Sequence, residues 1–396
     1  MQLARHGATG NGGVNRQALS AEDIAAWREV IAWGRDAGLT PYTDAAGNLF
    51  LRLDGRDQDA APVLTGSHLD SQPSGGKFDG VYGVLAGVEA VQALRHAQVT
   101  LHRPIEVVAW MNEEGSRFAP GMMGSAAFTG ATPLDHFLPI RDAEGTSVAE
   151  ALDGLRSAFS DVPSRPLRRP VASYVEAHIE QGPILEREGY VVGVVTGIQG
   201  KRTFRVSVRG EEAHAGTANP HERKDALLAA VRMIQALDSA MQDGGEDVKF
   251  TVGRLDVKPN APSVVAGGAV FSIDLRHVDS SRLTSLGDRI PAICAVNAGR
   301  CSVAVVELTT AMSLAFPESM TGLIRRSADA LGIPARQILS SAGHDARFLH
   351  AICPTGMIFV PCKDGISHNP RESATREDLA AGARVLATVL VALAND

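Results

Sequence analysis

The chain has 396 residues, of which 44% are hydrophobic and 21% charged, and it carries a net charge of -7. That length allows a large core and points to two domains, while the acidic balance leaves no electrostatic footprint for nucleic acid. No run of about 18 apolar residues occurs, so no membrane span is expected.

The opening stretch, Met1-Gln2-Leu3-Ala4-Arg5-His6-Gly7, lacks the apolar core of a signal peptide. Residues 1–20 are rich in Gly and Asn and read as an irregular arm. Ser20, followed by Glu22 and Asp23, is a helix N-cap with acids in the first turn, and Gly38 ends that helix. Asn48 to Leu53 alternates as a strand. Ala61 to Thr65 reads as a buried strand, and Val84, Leu85, Val88 and Val91 then recur at helical spacing. Pro104 to Trp110 is a second buried strand. An amphipathic helix near Val148 to Ala158 and a Pro/Arg-rich loop precede a third, Ser173 to Ile179.

From about 200 to 310 the pattern changes. A strand at 202–208, a helix at 224–241, strands at 248–257 and 264–275, a helix at 280–298 and a strand at 301–308 give the order β-α-β-β-α-β. That order predicts a ferredoxin-like unit inserted into the first domain. The first domain, 1–199, then resumes at 311–396 with a helix from Thr321, a short strand at 337–341, a helix start at Ala346, a strand at 356–361 and a terminal helix from Arg376. The four cysteines, Cys294, Cys301, Cys353 and Cys362, form no CxxC pair and read as free thiols of a reducing cytosol, so a cytoplasmic location is expected.

Polar clusters fall where the buried strands of the first domain end, the usual site position in an α/β sheet. Gly66-Ser67-His68-Leu69-Asp70 and Gly75-Gly76-Lys77-Phe78-Asp79-Gly80 follow the first strand, and Asn112-Glu113-Glu114 follows the second. His178 ends the third, and His368 follows the fourth. Histidines and carboxylates without thiolates suit zinc, manganese, cobalt or nickel. Five such ligands exceed the needs of one tetrahedral site and fit two ions about 3.5–4 Å apart sharing a carboxylate. Glu113 and Glu114, adjacent in extended backbone, would point apart, so one can bind metal while the other serves as general base. These residues predict a metal-dependent hydrolase.

The strings GSHLDS (66–71), GGKFDG (75–80), NEEGSRF (112–118), EAHIEQGP (176–183), AHAG (213–216) and SHNP (367–370) together resemble one family. It is the amidase branch, of hydantoinase/carbamoylase type, of the dinuclear-metal aminoacylase/carboxypeptidase superfamily. That branch contains N-carbamoyl-L-amino-acid hydrolases and allantoate amidohydrolases. The resemblance spans nearly the whole chain. It implies an α/β fold, with an aminopeptidase-like catalytic domain whose central mixed sheet is flanked by helices, and an inserted α+β domain that acts in dimerisation and as a lid.

By the same resemblance, His68, Asp79 and His178 hold one divalent ion. Asp79, Glu114 and His368 hold the other, Glu113 is the general base, and Asp70 orients His68. His214 would stabilise the oxyanion, reaching over from the partner of a homodimer. Arg276 would clamp the substrate carboxylate with help from Asn260, and Gln181, Gly343 and His344 would line the pocket. Ser263 and Ala266 depart from the Asn and Pro that relatives often carry there. The implied substrate is a small ureido acid, foremost an N-carbamoyl-L-amino acid. Allantoate is the near rival, and a dipeptidase or aminoacylase the distant one. A non-catalytic metal-binding protein, and a serine hydrolase using Ser340 or Ser341 with His344 and Asp345, are rivals of other classes.

Overall fold

The computed structural model describes residues 1–242 and 247–396, which form two compact units, Met1–Thr196 with Phe316–Asp396, and Gly197–Ala315.

The larger unit is built on a mixed sheet. Its strands lie in the order Val192–Ile198, Thr355–Val360, Ser173–Ile179, Val63–His68, Ile105–Trp110, Leu49–Leu53, Thr40–Asp44 and Ser164–Arg165. The four strands from Thr355–Val360 to Ile105–Trp110 are mutually parallel, with Phe359 opposite His178 and His68 opposite Trp110. Every residue of these four is buried. Sheets covered on both faces lose the polar alternation of half-exposed strands, which is why these segments read as continuous apolar runs. Because the four run the same way, their C-terminal ends share one edge, and the polar clusters that follow them meet there.

Helices Val81–His96 and Arg376–Ala394 pack together against this sheet. Side-chain caps fix where helices begin: Ser20 accepts the Asp23 N–H, Ser147 and Glu150 form a reciprocal capping box, and Thr375 accepts the Asp378 N–H.

The smaller unit is a sheet of order Lys249–Thr251, Gly268–His277, Gly200–Arg209, Ser302–Ala311, all antiparallel, with helices Ala226–Gln242 and Ser280–Val296. Numbered by sequence this is the 2-3-1-4 order of a ferredoxin-like sheet. Its core joins Phe204, Val206, Phe271 and Leu275 to Met233, Leu237, Leu286 and Ile290 of the helices.

Three details differ from the sequence reading. The expected strand at 248–257 breaks around Gly253 into Lys249–Thr251 and Leu255–Lys258. The start of the expected strand at 264–275 peels away, so that Val264 and Val265 pair with His214 and Ala213. Thr40–Asp44 and Val192–Ile198 are strands beyond those expected, as are the two-residue strands Ser164–Arg165, Ala213–His214 and Leu314–Ala315. Pro41 masks Thr40–Asp44, and Gly193 and Gly197 interrupt the apolar run of Val192–Ile198; a Cβ on Gly193 would meet Ile338 at 2.8 Å. Among the described residues, no helix is long and apolar enough to cross a membrane.

Candidate active site

Asp79 is the centre on which the strand-end clusters converge. It follows the glycine-rich turn after strand Val63–His68 and precedes Gly80, whose φ of +65° starts the next helix. A Cβ on Gly80 would fall 2.3 Å from the His68 ring, so both the conformation and the space demand glycine. Asp79 Oδ1 faces His178 Nε2 at 3.2 Å and His68 Nε2 at 4.0 Å, whereas Oδ2 faces His368 Nε2 at 3.0 Å. The ligand atoms of His68, Asp79 and His178 lie within 4.8 Å of one another, as do those of Asp79, Glu114 and His368. These are the two triads that the sequence predicts, built from positions 68 to 368.

The histidine tautomers suit ligation. His68 Nδ1 donates to the Asp70 carbonyl at 2.9 Å and His178 Nδ1 to the Ile179 carbonyl at 2.9 Å. Each ring thereby turns Nε2 toward the cluster, where His178 Nε2 also lies 3.2 Å from the Gly80 N–H.

Asp70 acts differently from the expectation. The contact to His68 comes from its backbone carbonyl, and its carboxylate stands 3.7 Å from His68 Nδ1. That carboxylate accepts the N–H groups of Glu113 and Glu114, both at 3.2 Å. Asp70 therefore fixes the turn carrying both glutamates as well as the imidazole. This turn also replaces the extended backbone expected there, because Asn112 adopts φ +55° and donates from its side chain to the carbonyls of Phe118 and Pro120. The glutamates still diverge: Glu113 Oε2 approaches His68 Nε2 at 3.5 Å, and Glu114 Oε2 approaches His368 at 3.4 Å and accepts from Gln72 at 2.7 Å.

The donor chemistry fits divalent cations. Asp70, Asp79, Glu113 and Glu114 are all buried or nearly so, and among the described residues their ion-pair partners are all histidines. Burial and the neighbouring carboxylates push Glu113 well above the usual carboxylate range, and burial with Asp79 pushes Glu114 up to about 7. His178 and His368, both raised to about 9 beside Asp79, balance that one carboxylate and leave Asp70, Glu113 and Glu114 uncompensated, which hard or borderline cations would balance.

Of the other predicted residues, Gln181 lies at the cluster. Its Nε2 donates to Asp79 Oδ2 at 3.0 Å, and its Oε1 is buried without a hydrogen-bond partner. Gly343 is exposed beside Met122. His344 is buried behind His178, ring centres 4.6 Å apart, and its Nε2 lies 2.9 Å from the Ser340 hydroxyl. That Ser–His pair closes a turn: Ser340 is 1% exposed and its oxygen also accepts the Ala342 N–H. Ser340 therefore offers no accessible nucleophile, which disfavours the form of the serine-hydrolase rival that uses it.

His214, Asn260 and Arg276 belong to the smaller unit. His214 is exposed, and its Nδ1 accepts the N–H groups of Gly216 and Thr217, so a neutral ring carries its proton on Nε2 and presents a donor. Asn260 stands in an exposed loop at φ +58°. Arg276 is engaged by Asp274 through Nε at 2.8 Å and Nη2 at 3.1 Å.

Sequence reasoning missed several supports of the site. Arg16, 1% exposed, ties the N-terminal arm to the His68 loop by donating to the carbonyls of Leu69, Leu3 and His6. Glu176 lies beneath His178 and accepts from Ser67, Tyr174 and the Ala346 N–H. Glu372 joins two loops. Glu176 sits inside EAHIEQGP, where a charged residue within a buried strand is the signal that could have found it, whereas Glu372 lies two residues past SHNP with nothing local to mark it.

Residues 64–392 match the family described as peptidase family M20/M25/M40. The chain is 41% identical to an N-carbamoyl-L-amino acid amidohydrolase of Geobacillus stearothermophilus, over 98% of this chain and 95% of that one. It is 34% identical to an allantoate amidohydrolase of Bacillus subtilis, over 99% and 95%. A crystal structure of a hydantoinase/carbamoylase family amidase from Burkholderia multivorans superposes with a TM-score of 0.90 at 42% identity, covering 100% of this chain and 96% of that one. With this likeness along its whole length, and with both candidate triads assembled around Asp79, the chain belongs to the M20/M25/M40 family as a hydrolase of its hydantoinase/carbamoylase amidase branch.

Proposed function

We propose that the protein hydrolyses the carbamoyl C–N bond of an N-carbamoyl-L-amino acid, giving the amino acid, ammonia and carbon dioxide. The observation that carries this reading is the convergence of His68, Asp79, Glu114, His178 and His368 beside Glu113, in a chain that matches a named carbamoyl-amino-acid hydrolase nearly end to end. His68, Asp79 and His178 would hold one divalent ion and Asp79, Glu114 and His368 a second, of zinc, manganese, cobalt or nickel. Such ions polarise a carbonyl oxygen and lower the pKa of water.

The chain's own groups divide the remaining work. Glu113 takes the proton of the attacking water and passes it to the leaving nitrogen. Asp70 keeps Glu113 in place through the backbone. His214 donates from Nε2 to the developing oxyanion. Arg276 pairs with the substrate carboxylate, with Asn260 beside it, and Gln181, Gly343 and His344 shape the pocket.

We assign residues 1–199 with 311–396 as the catalytic domain and 200–310 as a dimerisation and lid domain. Support for a homodimer comes from Leu228 and Val231, about half exposed on helix Ala226–Gln242, and from Val306 and Leu308 on the edge strand Ser302–Ala311. Four free cysteines support a cytoplasmic location.

Side-by-side turnover of N-carbamoyl-L-methionine, allantoate and a dipeptide, with defined metal loading, tests the substrate. The carbamoyl amino acid should give the highest kcat/KM. Preference for allantoate would move the assignment to the near rival, and preference for the dipeptide would overturn it.

A further inference from the structure

Ser367-His368-Asn369-Pro370-Arg371-Glu372 supplies one expected ligand, His368, and an acidic group, Glu372, with no part in the reaction above. Glu372 is 4% exposed. Its Oε1 accepts the N–H of Phe78 at 2.8 Å and of Asp79 at 3.1 Å, and its Oε2 lies 2.9 Å from the Ser367 hydroxyl. The same hydroxyl is 3.1 Å from Asp79 Oδ2 and accepts from Gln181 Nε2 at 3.3 Å. One carboxylate thus grips the Asp79 backbone directly and shares the single Ser367 hydroxyl proton with the Asp79 side chain. It also joins the Asp79 loop to the His368 loop, far apart in sequence. A Cβ on Gly76 would fall 2.0 Å from the Glu372 carboxyl, which is held at three points and cannot swing aside.

The two triads are not equivalent. His68, Asp79 and His178 are all buried, whereas the His368 side chain is 49% exposed. His368 also adopts φ +53°, a region disfavoured for any side chain bearing a Cβ, so its loop needs an external hold. The two oxygens of Asp79 divide in the same way. Oδ1 faces the buried histidines, while Oδ2 faces His368 and is the oxygen that Ser367 reaches. A ligand group fixed before the ion arrives binds it more tightly than one ordered by the ion.

We infer that Glu372 is a positioning residue which, acting through Ser367, sets the affinity for the ion shared by Asp79, Glu114 and His368 and leaves the ion at His68, Asp79 and His178 nearly unaffected. This rests on the two-ion reading above. The test is calorimetric titration of metal-stripped wild type, Glu372→Gln, Glu372→Ala and Ser367→Ala with zinc or manganese, with metal counted after dialysis and unfolding of each metal-free protein recorded.

Wild type should bind two ions. Glu372→Ala should keep one at wild-type affinity and bind the other about 10–100-fold more weakly. Ser367→Ala should change the same ion in the same direction by less, and Glu372→Gln, which keeps an acceptor for the two N–H groups, should fall between. Metal-free unfolding should come earlier in Glu372→Ala, which leaves the Phe78 and Asp79 N–H groups without their acceptor, and closer to wild type in the other two. Two ions bound as in wild type, or both weakened equally, in Glu372→Ala would overturn the inference. If that variant does not fold, the same outcomes in Ser367→Ala and Glu372→Gln decide. A wild type that binds no ion would sink the two-ion reading itself, an outcome separate from the others.

Discussion

Strand Ile105–Trp110 carries a buried carboxylate near its start and leads into two more just past its end, and the surroundings of the two ends are opposite. Glu106, fully buried, is met by Arg52 at 3.0 Å, Arg165 at 2.6 Å and Arg169 at 2.9 Å. Burial pushes its carboxyl up, but the three guanidiniums outweigh that and hold it below the usual range. At the other end Glu113 and Glu114 join Asp70 and Asp79 among histidines, and burial with mutual repulsion drives Glu113 well above its ordinary value. One end brings its own fixed positive charges and is electrostatically closed. The other gathers more acids than its histidines balance, which is the signature of a site that takes mobile cations.

Removing those cations gives the largest effect. Dialysis against a chelator should abolish turnover, and zinc, manganese, cobalt or nickel should restore it. The Glu106 cluster needs no ion, so the stripped protein should stay folded by circular dichroism. Unfolding on stripping would break the contrast, because the closed end would then depend on metal too.

Next in size is Glu113→Gln, which removes one charge from the open end without touching either triad. Turnover should drop by about 10²–10⁴-fold, while metal content by elemental analysis stays at the wild-type level. Near-normal turnover would take Glu113 out of the base role, and loss of metal would make it a ligand.

How far these ends could be foreseen differs as well. The open end was legible in the sequence because each of its groups follows a run of buried apolar residues, where a solvated surface charge is out of place: His68 after Val63-Leu64-Thr65, Glu113 after Val107-Val108-Ala109-Trp110. The parallel order that brings the runs side by side needs only their alternation with helices. The closed end was not legible. Arg165 and Arg169 read as part of a Pro/Arg-rich loop, and Glu106 as one acid inside an apolar strand, since nothing local says that residues 52, 106, 165 and 169 meet. Glu372 was hidden for the same reason, its partners at Phe78 and Asp79 lying 294 and 293 residues away. The role of Asp70 was half visible. Spacing puts it beside His68, but its grip on the Glu113 and Glu114 amides depends on the neighbouring strand's register.

Glu106→Gln reverses the logic of Glu113→Gln. It removes the one carboxylate that meets all three of these mostly buried guanidiniums, leaving Asp54 to Arg52 alone, and uncompensated buried charge is costly. Stability measured by urea unfolding should fall by about 3 kcal/mol, with metal content and KM unchanged. A loss within a few tenths of a kcal/mol would show that solvent screens the arginines and that the end is not closed.

The smallest effect, and the one that separates the two ends by sign, is the pH dependence of stability. Glu106 has a folded value below its ordinary one, so its stabilisation is complete above the ordinary range, near pH 4.3, and fades as pH falls through the folded value. The stability gap between wild type and Glu106→Gln should therefore be flat near neutrality and narrow below about pH 4. Glu114 runs the other way in metal-stripped protein. Burial and Asp79 raise it to about 7, so the folded state takes up a proton there and gains stability as pH falls from about 7 toward the ordinary range. Urea midpoints across pH, for stripped wild type, Glu106→Gln and Glu114→Gln, check both signs. A wild-type gap to Glu114→Gln that grows on acidification would mean that the histidines already balance the acids at the open end, and with it the argument for mobile cations would lose its electrostatic basis.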